Sequence, residues 1–128
     1  MSDFGWYTEE VIDHYQNPRN MGELESPDGV GIVGNPACGD MMQLQIEVRD
    51  GRIEDVAFKT FGCGAAIATT SVATELIKGK TIDAALKVTN QDVMEVLGEL
   101  PSVKVHCSVL AEEAIQAAVD DYRGRSND

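Results

Sequence analysis

No apolar run in these 128 residues approaches the roughly 20 needed to cross a bilayer, so a membrane-spanning helix is not expected. The N-terminus, Met1-Ser2-Asp3-Phe4-Gly5, lacks the basic and apolar regions of a secretory signal. Basic residues are scarce: 10 Lys and Arg stand against 22 Asp and Glu, a net charge of −12. A nucleic-acid surface needs the opposite balance, and an anionic membrane would repel this one. Such a charge favours solubility and suits a basic partner. Cysteine is rarer still. Cys38, Cys63 and Cys107 are an odd number, widely spaced, with no C-x-x-C pair. They fit neither a disulfide framework nor the usual zinc-finger signature, and point to a reducing, cytoplasmic compartment. Internal repeats, low-complexity tracts and Pro/Ser-rich linkers are also missing, so residues 1–128 read as one domain.

What is present divides into strands first and helices afterwards. Thr8 can cap a short helix, with Glu9 and Glu10 in its positive first turn and Asn17-Pro18 ending it. Val11, Ile12 and Tyr15 would form its apolar stripe, leaving His14 partly exposed on its surface. Residues 20–35 read as loop with a short strand near Val30–Val33. From Asp40 the period becomes two: Met42, Leu44, Ile46 and Val48 face one way, and Gln43, Gln45, Glu47 and Arg49 face water. Asp50-Gly51 supplies a tight turn, and Ile53 to Phe61 returns as the partner strand.

Helical segments follow at Ala65–Lys78, closed by Gly79, at Thr81–Lys87, and from Thr89 or Asn90 to Leu100, stopped by Pro101. Ser108 opens a terminal helix with Cys107, Ala111, Ala114, Ile115, Ala118 and Tyr122 on one face. The fold class is α+β, a small antiparallel sheet packed against several helices.

The cysteines share a kind of setting. Cys38 precedes the first hairpin strand in Gly34-Asn35-Pro36-Ala37-Cys38-Gly39-Asp40; Cys63 lies between glycines at a strand-to-helix junction; Cys107 follows His106 at a helix start. Glycine lets backbone approach a ligand closely, and a helix N-terminus favours thiolate, the form that binds metal or attacks sulfur. Antiparallel pairing brings Cys38 and Cys63 to the same end of the sheet. Against this stands plain packing, since cysteine is among the most buried residue types. Asp40 as a turn cap and His106 as a structural histidine are the corresponding bland readings. Spacing alone leaves both sets open.

Four segments together are more specific: Tyr7–Gly22 (YTEEVIDHYQNPRNMG), Gly34–Asp40 (GNPACGD), Phe58–Ala68 (FKTFGCGAAIA) and Leu100–Ala114 (LPSVKVHCSVLAEEA). In order, and over about Tyr7 to Tyr122, they resemble the iron–sulfur cluster assembly scaffolds, the IscU/NifU N-terminal-like proteins, of the single-domain IscU type. The resemblance implies a three-stranded antiparallel sheet with helices. It implies a [2Fe–2S] cluster, built from Fe²⁺ and persulfide sulfur and then passed to recipient apoproteins. Cys38, Cys63 and Cys107 would be its ligands, Asp40 and His106 would exchange in the remaining place, and Lys104 would be an auxiliary basic residue. Cys107 would accept sulfur from a cysteine desulfurase. The other implied partners are an iron or electron donor and an Hsp70-type chaperone, although Ser102 replaces a proline of the family's chaperone-recognition segment. A cluster-bridged homodimer fits as well.

The chemistry suits the residues. Stable ferredoxin-type clusters use four cysteines, so three thiolates with an exchangeable Asp or His leave one weak corner, which helps a protein that must release its cluster. Zn²⁺ also fits Cys38, Cys63 and Cys107 with Asp40 or His106, and a zinc-binding sulfur-relay module is the alternative. A Cys107–His106 nucleophile pair is disfavoured, because sequence neighbours at a helix start rarely point at each other and no oxyanion motif is evident.

Overall fold

The computed structural model describes residues 8–35, 40–61, 64–98 and 105–126, with side chains described within 8–34, 41–60, 66–98 and 107–124. In chain order the elements are α1 (Glu9–Gln16), β1 (Gly29–Asn35), β2 (Asp40–Arg49), β3 (Arg52–Phe61), α2 (Gly64–Ile77), α3 (Ile82–Leu86), α4 (Asn90–Leu97) and α5 (Val105–Ser126). The sheet is antiparallel throughout, in the order β1-β2-β3. This is the expected α+β architecture, with β1 longer than the short strand anticipated near Val30–Val33.

The β2–β3 hairpin follows from its turn. Asp50 and Gly51 both take positive φ, 56° and 78°, the pair of values that matches the right-handed strand twist. Met42, Leu44 and Ile46 then fall on one face, each 1% exposed or less, opposite Ile53, Val56 and Phe58 of β3. The other face is less wet than alternation predicts. Gln45 is buried there because the chain between α1 and β1 crosses it, and Leu24 N–H donates to Gln45 Oε1 at 2.8 Å. The same segment covers the outer edge of β3: Phe58 N–H donates to Asn20 O at 2.9 Å, and Gly22 N–H donates to Phe58 O at 2.8 Å. On the opposite edge, Val30 N–H donates to Asp121 Oδ2 at 2.8 Å. Both sheet edges thus have main-chain donors occupied rather than open to another strand.

α2 is the central helix. Residues 68–74 are all buried, the signature of a helix packed on every side, and it meets β2, β3, α1, α3, α4 and α5. Its buried Thr69, Thr70, Ser71 and Thr74 are all hydrogen-bonded. Among the described residues no buried side-chain N or O atom lacks a partner. α1 begins as expected, with Thr8 Oγ1 accepting Val11 N–H at 3.2 Å. Its buried stripe differs from the expectation: Val11 and His14 face inward, and Tyr15 is exposed. The inward pair is one helical turn apart, and α2 supplies the polar partner that makes a buried histidine tolerable.

Two helix ends are shifted by three residues. α4 stops at Leu97 rather than Leu100, because Gly98 takes φ +86° against Thr8 of α1, whose hydroxyl donates to Leu97 O. Leu100 and Pro101 lie outside the described residues. α5 starts at Val105, three residues before Ser108, so Cys107 belongs to its first turn. Cys107, Ala111, Ala114, Ile115 and Ala118 are buried on one face as the periodicity requires, and Tyr122 is partly buried.

α5 lies against the backbone of β1. A Cβ added to Gly31 would sit 2.5 Å from Ala118 N and 2.6 Å from Ala114 O; one added to Gly29 would sit 2.3 Å from Ala118 O. Small residues on both surfaces permit this approach. Gly31→Ala forces helix and strand apart and is expected to cost about 3 kcal/mol. Gly124→Ala, in the same helix with nothing within 4 Å, should instead be stabilising by up to about 1 kcal/mol. Urea midpoints check the pair; equal midpoints would show that the close approach carries no energetic weight.

Candidate metal and sulfur site

Three chain segments converge at one end of the sheet. Asn35, the last residue of β1, pairs with Asp40, the first of β2, and Met41 pairs with Phe61, the last of β3. α2 begins at Gly64, just after β3. The sequence positions of Cys38 and Cys63 fall between these points, at 36–39 and 62–63, and both residues lie outside the described ones. Asp40 is placed by its backbone at the head of β2, but its side chain is outside the described set, as is that of His106 in the first turn of α5. Lys104 is likewise outside.

Cys107 is described fully. It is the third residue of α5 and has no exposed surface. Thr69 Oγ1, in the second turn of α2, lies 3.3 Å from Cys107 O and 3.2 Å from Ala66 O. The next residue, Thr70, donates through Oγ1 to Ala66 O at 2.8 Å and lies 3.2 Å from Met42 Sδ, two residues into β2 from Asp40. Neighbouring hydroxyls of α2 therefore reach the start of α5 and the start of β2. These hydroxyl contacts were not anticipated from sequence. The available signal was a run of hydroxyl residues, Thr69-Thr70-Ser71, inside an otherwise apolar helix.

A convergence of this kind can gather thiolates from separate parts of the chain around one metal centre. Among the described residues alone, no group of three or more His, Cys, Asp or Glu side chains forms a metal site. The one described donor suits soft-metal chemistry: cysteine sulfur binds iron–sulfur clusters and zinc as thiolate.

The model of the family described as the NifU-like N-terminal domain matches residues 6–128. The chain is 57% identical to the iron–sulfur cluster assembly scaffold protein IscU of Escherichia coli K12, over 93% of this chain and 95% of that protein. It is 58% identical to the Haemophilus influenzae protein of the same name, over 93% and 97%. A scaffold protein IscU of Archaeoglobus fulgidus is 60% identical over 91% of this chain and 76% of that one. The fold is also that of solved structures: a protein described as a scaffold for the SUF system in Fervidobacterium islandicum (TM-score 0.75, 24% identity, 91% and 98% covered) and a NifU-like N-terminal protein of Brucella abortus (TM-score 0.71, 20% identity, 99% of both).

Among the described residues, electrostatic perturbation is concentrated where α1 meets α2. His14 is 6% exposed, and its Nδ1 is 2.8 Å from Ser71 Oγ, which also accepts Arg19 N–H at 2.8 Å. By giving its one proton to Nδ1, the hydroxyl satisfies both neighbours. The imidazole is then neutral, with its Nε2 proton toward Glu75 Oε1 at 3.7 Å. Burial pushes the His14 pKa below its ordinary 6.5 and Arg19 adds to this, against the pull of Glu75 and Asp13. The Arg19 guanidinium, 2.7 Å from Asp13, and the Asn17 amide hold the Asp13 carboxyl below its ordinary range. His14 takes up its proton at higher pH in the unfolded chain than in the folded one. Its contribution is complete above the unfolded value and is lost as pH falls through the folded value. Urea midpoints should therefore decline on acidification below about pH 6.5, with a shallower decline in His14→Asn. Identical slopes in both proteins would contradict the buried neutral imidazole.

Proposed function

This chain belongs to the family of NifU-like N-terminal domains, and from that premise we propose that it is a scaffold on which an iron–sulfur cluster is assembled and from which it is handed on. The observation that carries the reading is its likeness, over most of its length, to named cluster assembly scaffolds. The convergence of β2, the end of β3 and the starts of α2 and α5 supports it.

In this reading the cargo is a [2Fe–2S] cluster made from Fe²⁺ and desulfurase-derived sulfur. Cys38, Cys63 and Cys107 are its thiolate ligands, and Asp40 or His106 fills the remaining place. Two ferric ions and two sulfides carry about +2, so three thiolates bring the site to about −1. Asp40 would add a further negative charge; neutral His106 would not. The choice between them tunes both charge and ease of release.

Sulfur arrives by exchange. The Cys107 thiolate attacks the outer sulfur of a persulfide on a cysteine desulfurase. A new S–S bond forms, the old one breaks, and the donor cysteine leaves as thiolate. Conversion of that outer sulfur to sulfide takes two electrons from an electron donor. Cys107 has no exposed surface, so delivery requires movement around the first turn of α5. Recipient apoproteins accept the finished cluster, and a second copy of the chain can complete the coordination; an Hsp70-type chaperone is a further partner the resemblance implies, with its recognition segment altered at Ser102. Lys104 is assigned to stabilising the thiolate.

Anaerobic reconstitution with ferrous iron, cysteine and a cysteine desulfurase should give a visible [2Fe–2S] chromophore. Cys38→Ala, Cys63→Ala and Cys107→Ala should each abolish it, and an apoferredoxin should take the cluster from the wild type. Asp40→Ala should lengthen the cluster half-life on the order of tenfold if the carboxylate confers lability. Tight Zn²⁺ without any chromophore under these conditions would replace the scaffold by a zinc-binding sulfur relay.

A further inference from the structure

We propose that Thr69 is a positioning residue for the site, its hydroxyl holding the first turn of α5, and with it Cys107, in register with the start of α2. The proposal rests on the scaffold reading for what the site binds, but its geometry is independent of the metal. Thr69 is fully buried, and Oγ1 lies 3.2 Å from Ala66 O and 3.3 Å from Cys107 O. Both contacts are long, as expected of one proton shared between two acceptors.

The hydroxyl is not needed to satisfy those carbonyls. Each lies within a helix and has the N–H four residues onward as its ordinary partner. A buried polar group in the central helix whose acceptors are already served adds little to the helices themselves. What it adds is a tie between them. α2 follows Cys63 by one residue, and Cys107 is in the turn of α5 that the tie grips. A slip of one residue between helices is a shift of about 1.5 Å, enough to separate thiolates that must share one cluster.

The comparison set is Thr69→Val, Thr69→Ser and Thr74→Val in the full chain. Valine keeps the branched shape and removes the hydroxyl; serine keeps the hydroxyl. Thr74 is equally buried on the same helix but ties to Arg19 O and Ser71 O instead. Co²⁺ serves as probe, because its thiolate charge-transfer bands report tetrahedral sulfur coordination without iron, sulfur donor or turnover. Thr69→Val should weaken Co²⁺ binding roughly threefold to tenfold, the range commanded by one buried hydrogen bond, and alter the band intensities. Thr69→Ser and Thr74→Val should bind and absorb like the wild type. Thr69→Ala replaces the valine variant if circular dichroism shows the latter misfolded.

Equal weakening by Thr69→Val and Thr74→Val would overturn the proposal, since any buried hydroxyl would then do. So would an unchanged Thr69→Val, or a wild type that binds no Co²⁺. If the wild type binds Co²⁺ but forms no iron–sulfur chromophore on reconstitution, the scaffold reading fails while the Thr69 comparison still decides the positioning role.

Discussion

The arrangement of the cysteine-bearing end depends on α5 resting directly on the backbone of β1. Gly29 and Gly31 leave no side chain between strand and helix, and Ala114, Ala117 and Ala118 keep the facing surface low. The helix is thereby set close to the edge strand, and Asp121 fastens it to Val30 N–H. From that contact α5 runs back along the sheet to the end where β2 begins and β3 finishes, bringing Cys107 to the junction. A bulkier β1 would still form a strand, but the helix and its thiol would sit elsewhere.

α2 joins what α5 and the sheet bring together. Its burial on all sides would ordinarily call for an apolar helix, yet it carries four buried hydroxyl residues. Each is directed to a different neighbour: Thr69 to α5, Thr70 to β2, Ser71 to His14 of α1, and Thr74 to the chain at Arg19. Hydrophobic contact is non-directional and tolerates sliding, whereas these bonds have defined partners. The polar run thus supplies register to a core whose stability comes from Phe58, Leu44, Ile46, Ile77 and their neighbours.

The parts legible in the sequence are those governed by short-range rules. The Asp50-Gly51 turn, the inward Met42, Leu44 and Ile46, the Thr8 cap, the helix start near Thr81, and the inward face of α5 all depend on residues within a few positions of one another. What escaped depends on distant partners. His14 reads as a surface histidine until Ser71, 57 residues later, supplies a hydrogen bond in the interior. Gln45 reads as wet until the segment at Leu24 crosses it, and Gly98 ends α4 early because Thr8 is packed there. Of the site, Cys107 was legible as a member of the buried face and as a chemical candidate at once. Its actual surroundings needed Thr69, which no local pattern links to it. The assignments to Cys38, Cys63, Asp40 and His106 came from motif resemblance, which local periodicity alone does not supply.

The glycine contact also has a mechanical meaning. Ala114, opposite Gly31, and Cys107 are separated by about 10 Å of helix, so the strand acts as a fulcrum and the thiol as the load at the end of an arm. Tilting a straight helix by about 5° over that contact carries its first turn through about 1 Å, comparable to the rise of one residue. Substitutions beneath the fulcrum thus act on the thiol as changes in leverage, and a strand that never touches the sulfur helps to set where it sits.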